Sequence, residues 1–211
     1  QAESSSTKVL FVSTADIYGL AGKDVTNGVL PELSLSDAQP QNVYAESKLV
    51  AEQVIEEQYN QRVIRARPFP HIGPGQGLGF VTADFASQIA AIEVGDQSPV
   101  IKVGNLEARR DFTDVRDVVR AYRLLMEHGE LGEVYNIASG TAVAIEEILN
   151  TLLSLSDAVI TVEQDEARMR PSDVPVLVGD ATALRDATGW EPTISIDQSL
   201  REILDWWRQR P

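Results

Sequence analysis

The sequence predicts an α/β fold with a mainly parallel sheet. Strand-like runs alternate along the chain with segments of helical apolar spacing, which is the signature of parallel strands joined by crossover helices. The chain opens almost at once on a buried-type strand, Lys8-Val9-Leu10-Phe11-Val12-Ser13-Thr14. Its 211 residues, 43% hydrophobic, suffice for one sizeable core or two small ones.

Each element follows in order. After the first strand, residues 17–42 form an irregular stretch with Gly19, Gly22, Gly28, Pro31 and Pro40; loops of such length are usually functional or lid-like. Residues 43–59, rich in Ala, Glu, Gln and Leu, predict a helix, and residues 62–67 a strand ended by Pro68 and Pro70. The glycine-rich turn at 73–79 is the predicted seam between a first unit, 1–73, and a second, 74–211. A helix over 82–94 leads to a strand over 100–103. The next helix begins after Thr113 as N-cap and is expected to bury Val115, Val118, Val119, Tyr122, Leu125 and Met126. A strand over 134–137 ends at Ser139-Gly140. The helix after it lines up Ile145, Ile148, Leu149, Leu152 and Leu153. A strand over 159–162, a proline-bounded segment over 171–180 and a last helix aligning Leu200, Ile203, Leu204 and Trp207 complete the chain.

Composition removes several function classes. There is no cysteine, so disulfides, thiolate zinc sites, iron–sulfur clusters and cysteine nucleophiles are excluded. The longest apolar runs are strand-length, and residues 1–7 lack the basic and apolar regions of a signal peptide. The expected location is the cytoplasm. A net charge of −14 argues against nucleic acid or an anionic membrane as partner. Any anionic ligand must then be held by a few local arginines.

Two motifs carry chemistry. In Tyr44-Ala45-Glu46-Ser47-Lys48 the tyrosine and lysine share a helix face. An ammonium beside a phenol favours the phenolate, which makes Tyr44 a usable general acid for a carbonyl oxygen. A chance surface pair is the plain alternative. The second motif, Ser13-Thr14-Ala15-Asp16, stands at the carboxyl end of the first strand, where α/β sheets place ligands. Thr14 is placed to donate to a substrate carbonyl and Asp16 to act as a base; strand-end turn chemistry explains the same residues equally.

Together these residues resemble the active site of the extended short-chain dehydrogenase/reductase family. The resemblance continues through Tyr18-Gly19, through 67–75 (Arg-Pro-Phe-Pro-His-Ile-Gly-Pro-Gly), through Arg110-Asp111-Phe112 with Val115 and Asp117, and through Gly189-Trp190-Glu191-Pro192. The longest runs, 71–82, 101–108 and 170–175, resemble its GDP-6-deoxy-D-mannose reductase branch. The resemblance implies a partial Rossmann-type sheet, doubly wound, with a smaller α/β substrate-binding lobe. It implies NADP (or NAD) as cofactor, no metal, and reduction of the 4-keto group of GDP-4-keto-6-deoxy-D-mannose to GDP-D-rhamnose. Thr14, Tyr44, Lys48 and Asp16 would be catalytic, with Tyr44, Lys48, Phe69 and His71 at the cofactor. Val81, Lys102, Arg110, Arg170 and Asp173 would bind the GDP-sugar, while Arg109, Arg116 and Arg168 remain surface ion-pair partners. A homodimer through the helices near 43–59 and 80–94 is the family's usual assembly.

Three departures accompany the resemblance. Pro70 stands where the family has Asn, so one side-chain donor and acceptor is lost. Asp16 stands where the 4,6-dehydratases carry Glu, which mildly favours reductase over dehydratase. The family's opening Gly-x-x-Gly-x-x-Gly turn is not present in these 211 residues. The expectation is a truncated enzyme whose first strand is an interior strand with an uncovered apolar edge and face. A related dehydratase or epimerase, or a non-catalytic GDP-sugar-binding module, is the alternative.

Overall fold

A computed structural model describes residues 7–23, 28–169 and 174–210. Eleven strands and six helices are found among them. In chain order they are β1 (Val9–Val12), β2 (Val29–Leu30), α1 (Val43–Gln58), β3 (Val63–Pro68), β4 (His71–Ile72), α2 (Val81–Glu93), β5 (Val100–Val103), β6 (Arg109–Asp111), β7 (Thr113–Asp114), α3 (Val115–His128), β8 (Val134–Ile137), β9 (Ala142–Ala144), α4 (Ile145–Ser154), β10 (Thr161–Gln164), β11 (Val176–Gly179), α5 (Thr182–Thr188) and α6 (Ile196–Arg208).

The fold is mixed α/β, and its strand pairs are parallel except β6 with β9. A three-stranded sheet runs in the order β1-β3-β8, its strands joined by crossovers that contain α1 and α3. A second sheet runs β2-β11-β6-β9, and β5 pairs with β10 and β4 with β7. One core packs Ile64, Phe69, Leu125, Tyr135, Ile137 and Trp190 around the first sheet. A second packs Phe85, Ile89, Ile148, Leu152, Leu200 and Leu204 from α2, α4 and α6. Strand β1 is the edge of its sheet, with Val9 and Val12 exposed.

The differences from expectation are mostly non-local. Residues 17–42 are not structureless. They hold 3-10 turns at Leu20–Lys23 and Leu35–Asp37, and β2 pairs with β11 from far along the chain. Gly19 is required there: its φ is 49°, and a Cβ would overlap the Gln39 carbonyl oxygen. The N-cap of α3 is Asp114, one residue later than expected, and its side chain accepts from the Arg116 N–H. Val119 and Met126 are exposed, since the buried stripe of α3 runs through Asp117, Val118, Ala121 and Leu125. The predicted strand at 159–162 sits two residues later, in the register that β5 dictates. Strands β6 and β9, of three residues each, and helix α5, of seven, are too short to show a period, and β11 lies within the segment read only as proline-bounded.

Candidate active site

The carboxyl ends of β1 and β3 open into one cavity of about 680 Å³. Thr14, Asp16, Tyr44, Phe69, His71 and Val81 line it, with Pro68, Pro70, Gln76, Phe80, Phe112 and Tyr122. Six of the sequence-predicted site residues therefore meet at one concavity.

Thr14 caps the 3-10 turn Ala15–Tyr18, and its Oγ1 accepts the Asp16 backbone N–H at 3.2 Å. A threonine oxygen occupied as an acceptor still has its proton to donate, so the Thr14 hydroxyl is suited to a carbonyl oxygen. Asp16 keeps one edge open to solvent, yet the protein packed around it raises its carboxyl above the ordinary value; the Arg110 guanidinium opposes that shift. Tyr44 stands on the first turn of α1, whose N-cap Asn42 accepts the Ala45 N–H at 2.8 Å. One turn on, the Lys48 ammonium lies 5.8 Å from the Tyr44 ring centre and donates to the Val12 carbonyl at 2.8 Å. Helix α1 is thereby tied to the end of β1.

On the opposite wall, His71 Nδ1 is 3.1 Å from the Phe69 carbonyl oxygen. A carbonyl only accepts, so the Nδ1 that faces it carries a proton. Pro70 presents no side-chain polar group, and its carbonyl accepts the Thr113 N–H at 3.1 Å. Tyr122, read from sequence as a core residue of α3, also reaches this wall. Burial, assisted by the nearby Tyr44, pushes its phenol up to about 12, so it remains a protonated donor.

Val81 is shared with a second cavity of about 380 Å³, lined also by Lys102, Gly104, Asn105, Arg110, Asp84 and Arg168. Arg110 donates to the carbonyls of Arg109 at 2.7 Å and Pro175 at 3.3 Å. Burial lowers its pKa and the Asp16 carboxylate partly restores it. Lys102 is exposed at the rim. Arg168 pairs with Asp165 at 3.7 Å, as expected of a surface arginine, but also lines this cavity. Only the pairing of β5 with β10, which carries the chain on to Arg168, brings it there. Arg170 and Asp173 lie outside the described residues.

Asp111, beside Arg110, is fully buried. It accepts from the Ser139 N–H at 2.8 Å and hydroxyl at 2.6 Å, and from the Gly140 and Gly179 N–H groups at 2.8 and 3.2 Å. One carboxylate thus joins β6 to the ends of β8 and β11 and fixes the strand that carries Arg110.

Comparison with known proteins places these cavities in context. A family model described as GDP-mannose 4,6 dehydratase matches residues 1–203. GDP-6-deoxy-D-mannose reductase of Pseudomonas aeruginosa is 42% identical over 95% of this chain and 66% of its own length. Human GDP-mannose 4,6 dehydratase is 25% identical over 95% of this chain and 58% of its own. The chain therefore spans roughly three fifths to two thirds of these relatives. Among solved structures, a Pseudomonas aeruginosa protein designated RMD, complexed with NADPH, superposes with a TM-score of 0.86 at 41% identity, over 96% of this chain and 67% of that one. UDP-glucose 4-epimerase of Thermotoga maritima, solved with UDP-glucose, gives 0.78 at 27% identity, over 96% and 64%.

Proposed function

The chain belongs to the GDP-mannose 4,6-dehydratase family, and from that premise we propose that it carries the catalytic and substrate-binding part of a nucleotide-sugar reductase. The substrate is GDP-4-keto-6-deoxy-D-mannose and the product GDP-D-rhamnose. One observation carries the proposal: a cavity bearing Thr14, Tyr44 and His71 abuts, through Val81, a second bearing Arg110 and Lys102. The first suits a keto-sugar at a carbonyl-activating site, and the second suits a nucleoside diphosphate.

The nicotinamide end of NADPH would fit the first cavity. Val12, Pro68, Phe69, Ile72 and Phe112 form an apolar wall suited to a flat ring; Tyr44 stands in the same lining, and Lys48, one turn along α1, would serve the ribose hydroxyls. When bound, NADPH supplies a hydride to the C4 carbonyl carbon. Thr14 donates a hydrogen bond to the carbonyl oxygen and orients it. Tyr44 delivers the proton that this oxygen gains, and the Lys48 ammonium stabilises the phenolate left behind. Arg110, with Arg168 and Lys102 beside it, neutralises the diphosphate through a guanidinium fork matched to phosphate oxygens. Asp16 lies near Arg110; burial disfavours its carboxylate, which the guanidinium favours.

Val43, Val50 and Val54 leave an apolar stripe exposed on α1, which supports a homodimer. Among the described residues no helix is long and apolar enough to cross a membrane, and we place the enzyme in the cytoplasm.

The test is NADPH-dependent formation of GDP-D-rhamnose by the parent protein and by Tyr44→Phe. The variant should lose about 100- to 10,000-fold in kcat while binding GDP normally. Unchanged turnover in Tyr44→Phe would remove the assignment. Conversion of GDP-mannose with NADP, in place of keto-sugar reduction, would identify a dehydratase instead.

A further inference from the structure

Helix α1 is docked by polar contacts as well as by a small apolar face, in which Ala45 is buried and Leu49 packs against the first core. It buries only Ala45 and Glu52, whereas α2 buries seven residues, six of them hydrophobic. Along its sheet side three polar residues follow at one-turn intervals. Lys48 donates to the Val12 carbonyl, Glu52 holds Arg67, and Glu56 pairs with Arg65 at 3.1 Å.

The middle contact is the dry one, its side chains 1% and 0% exposed. Arg67 Nε donates to Glu52 Oε1 at 3.0 Å and Nη2 to Oε2 at 2.7 Å. Its Nη1 turns the other way, to the Tyr18 hydroxyl at 3.1 Å and the Leu33 carbonyl at 2.7 Å. Tyr18 in turn donates to Asn136 Oδ1 at 2.6 Å. One guanidinium therefore joins three segments that line the cavity. Tyr18 closes the turn that begins at Thr14 and Asp16. Glu52 lies two turns along the helix from Tyr44. Arg67 belongs to the strand that runs into Phe69 and His71.

Apolar packing is non-directional, but a planar fork fixes both distance and angle. A buried ion pair is also a poor source of net stability, because apolar residues of similar volume often replace it without loss. We propose that Arg67 and Glu52 are positioning residues, setting the register of α1 against the ends of β1 and β3 so that Thr14 and Tyr44 face one reacting oxygen, with Lys48 behind Tyr44. This role deepens the reductase assignment and rests on it.

Removing one partner alone leaves a buried charge and destabilises the fold. The informative variant is the double replacement Glu52→Met/Arg67→Met, which fills the space without charge. Melting temperature, kcat, KM for the keto-sugar and the fluorine resonance of Tyr44 in fluorotyrosine-labelled protein, identified with Tyr44→Phe, are compared with the parent. We expect melting close to the parent, kcat down by about 10- to 100-fold at little-changed KM, and a displaced Tyr44 resonance. A folded double variant with kcat within about twofold and an unmoved Tyr44 resonance would overturn the proposal. Should the double variant not fold, Arg67→Lys, which keeps the charge and loses the planar fork, is read on the same signals; normal kcat and resonance in it are equally fatal. If the parent itself reduces no keto-sugar, the functional assignment fails, while the Tyr44 resonance still decides the positioning role.

Discussion

Replacing Asp117 tests how the start of α3 holds the approach to α6. Its side chain is 1% exposed. It accepts the N–H groups of Thr193 at 2.8 Å and Ile194 at 2.9 Å and the Thr193 hydroxyl at 2.9 Å, and pairs with Arg120. Asp117→Ala leaves two backbone donors without their acceptor, at about 1–3 kcal/mol each. Arg120, about one-third exposed, returns largely to water, so the ion pair itself adds less than about 1 kcal/mol. The expected loss is about 3–5 kcal/mol, a large share of the roughly 5–15 kcal/mol of an ordinary domain. Asp117→Asn keeps one acceptor and should lose about half of that. The pH dependence has a definite sign. Burial would raise this carboxyl, but Arg120 and the Ile194 and Thr193 donors outweigh it and hold it below the ordinary range. Its contribution is therefore fully present above the unfolded value near ~3.9 and is lost as pH falls through the lower folded value. Urea unfolding at neutral pH and at about pH 3 measures both effects, and the gap between parent and Asp117→Asn should narrow in acid. A neutral-pH loss below about 1 kcal/mol for Asp117→Ala, or a gap independent of pH, would refute the reasoning.

Two further changes separate ligand binding from packing. Arg110→Ala should weaken GDP about 10- to 100-fold by calorimetric titration, the worth of one charge-assisted phosphate contact, with melting little changed. Trp190→Ala should cost about 3–5 kcal/mol, because the indole is fully buried and donates to the Asp117 carbonyl at 2.9 Å; thermal melting reads the loss.

Much of the fold and of the first cavity was legible in the sequence. The Tyr44–Lys48 pair is legible because both ends of an i, i+4 contact lie on one helix, so spacing alone specifies the geometry. Thr14 and Asp16 are legible because the end of a parallel strand is a predictable place for a ligand. The alternation of strands and long amphipathic helices carries the α/β class for the same local reason. Tyr122, Arg168 and the caged Asp111 were not legible as site or scaffold residues, since each earns its position through strands paired far apart in sequence. The short strands β6, β9 and β11 are likewise set by partners rather than by their own pattern.

The sequence by itself determined the order of the principal strands and helices, the acidic balance and the phenol–ammonium pair, all functions of residue type and near spacing. Only the tertiary structure decided that Arg67 is a buried junction rather than another arginine on a strand. Its partners come from residues 18, 33 and 52, and no local period relates those three positions. A buried charge declares itself only when the whole set of atoms that stabilises it has been brought together in space.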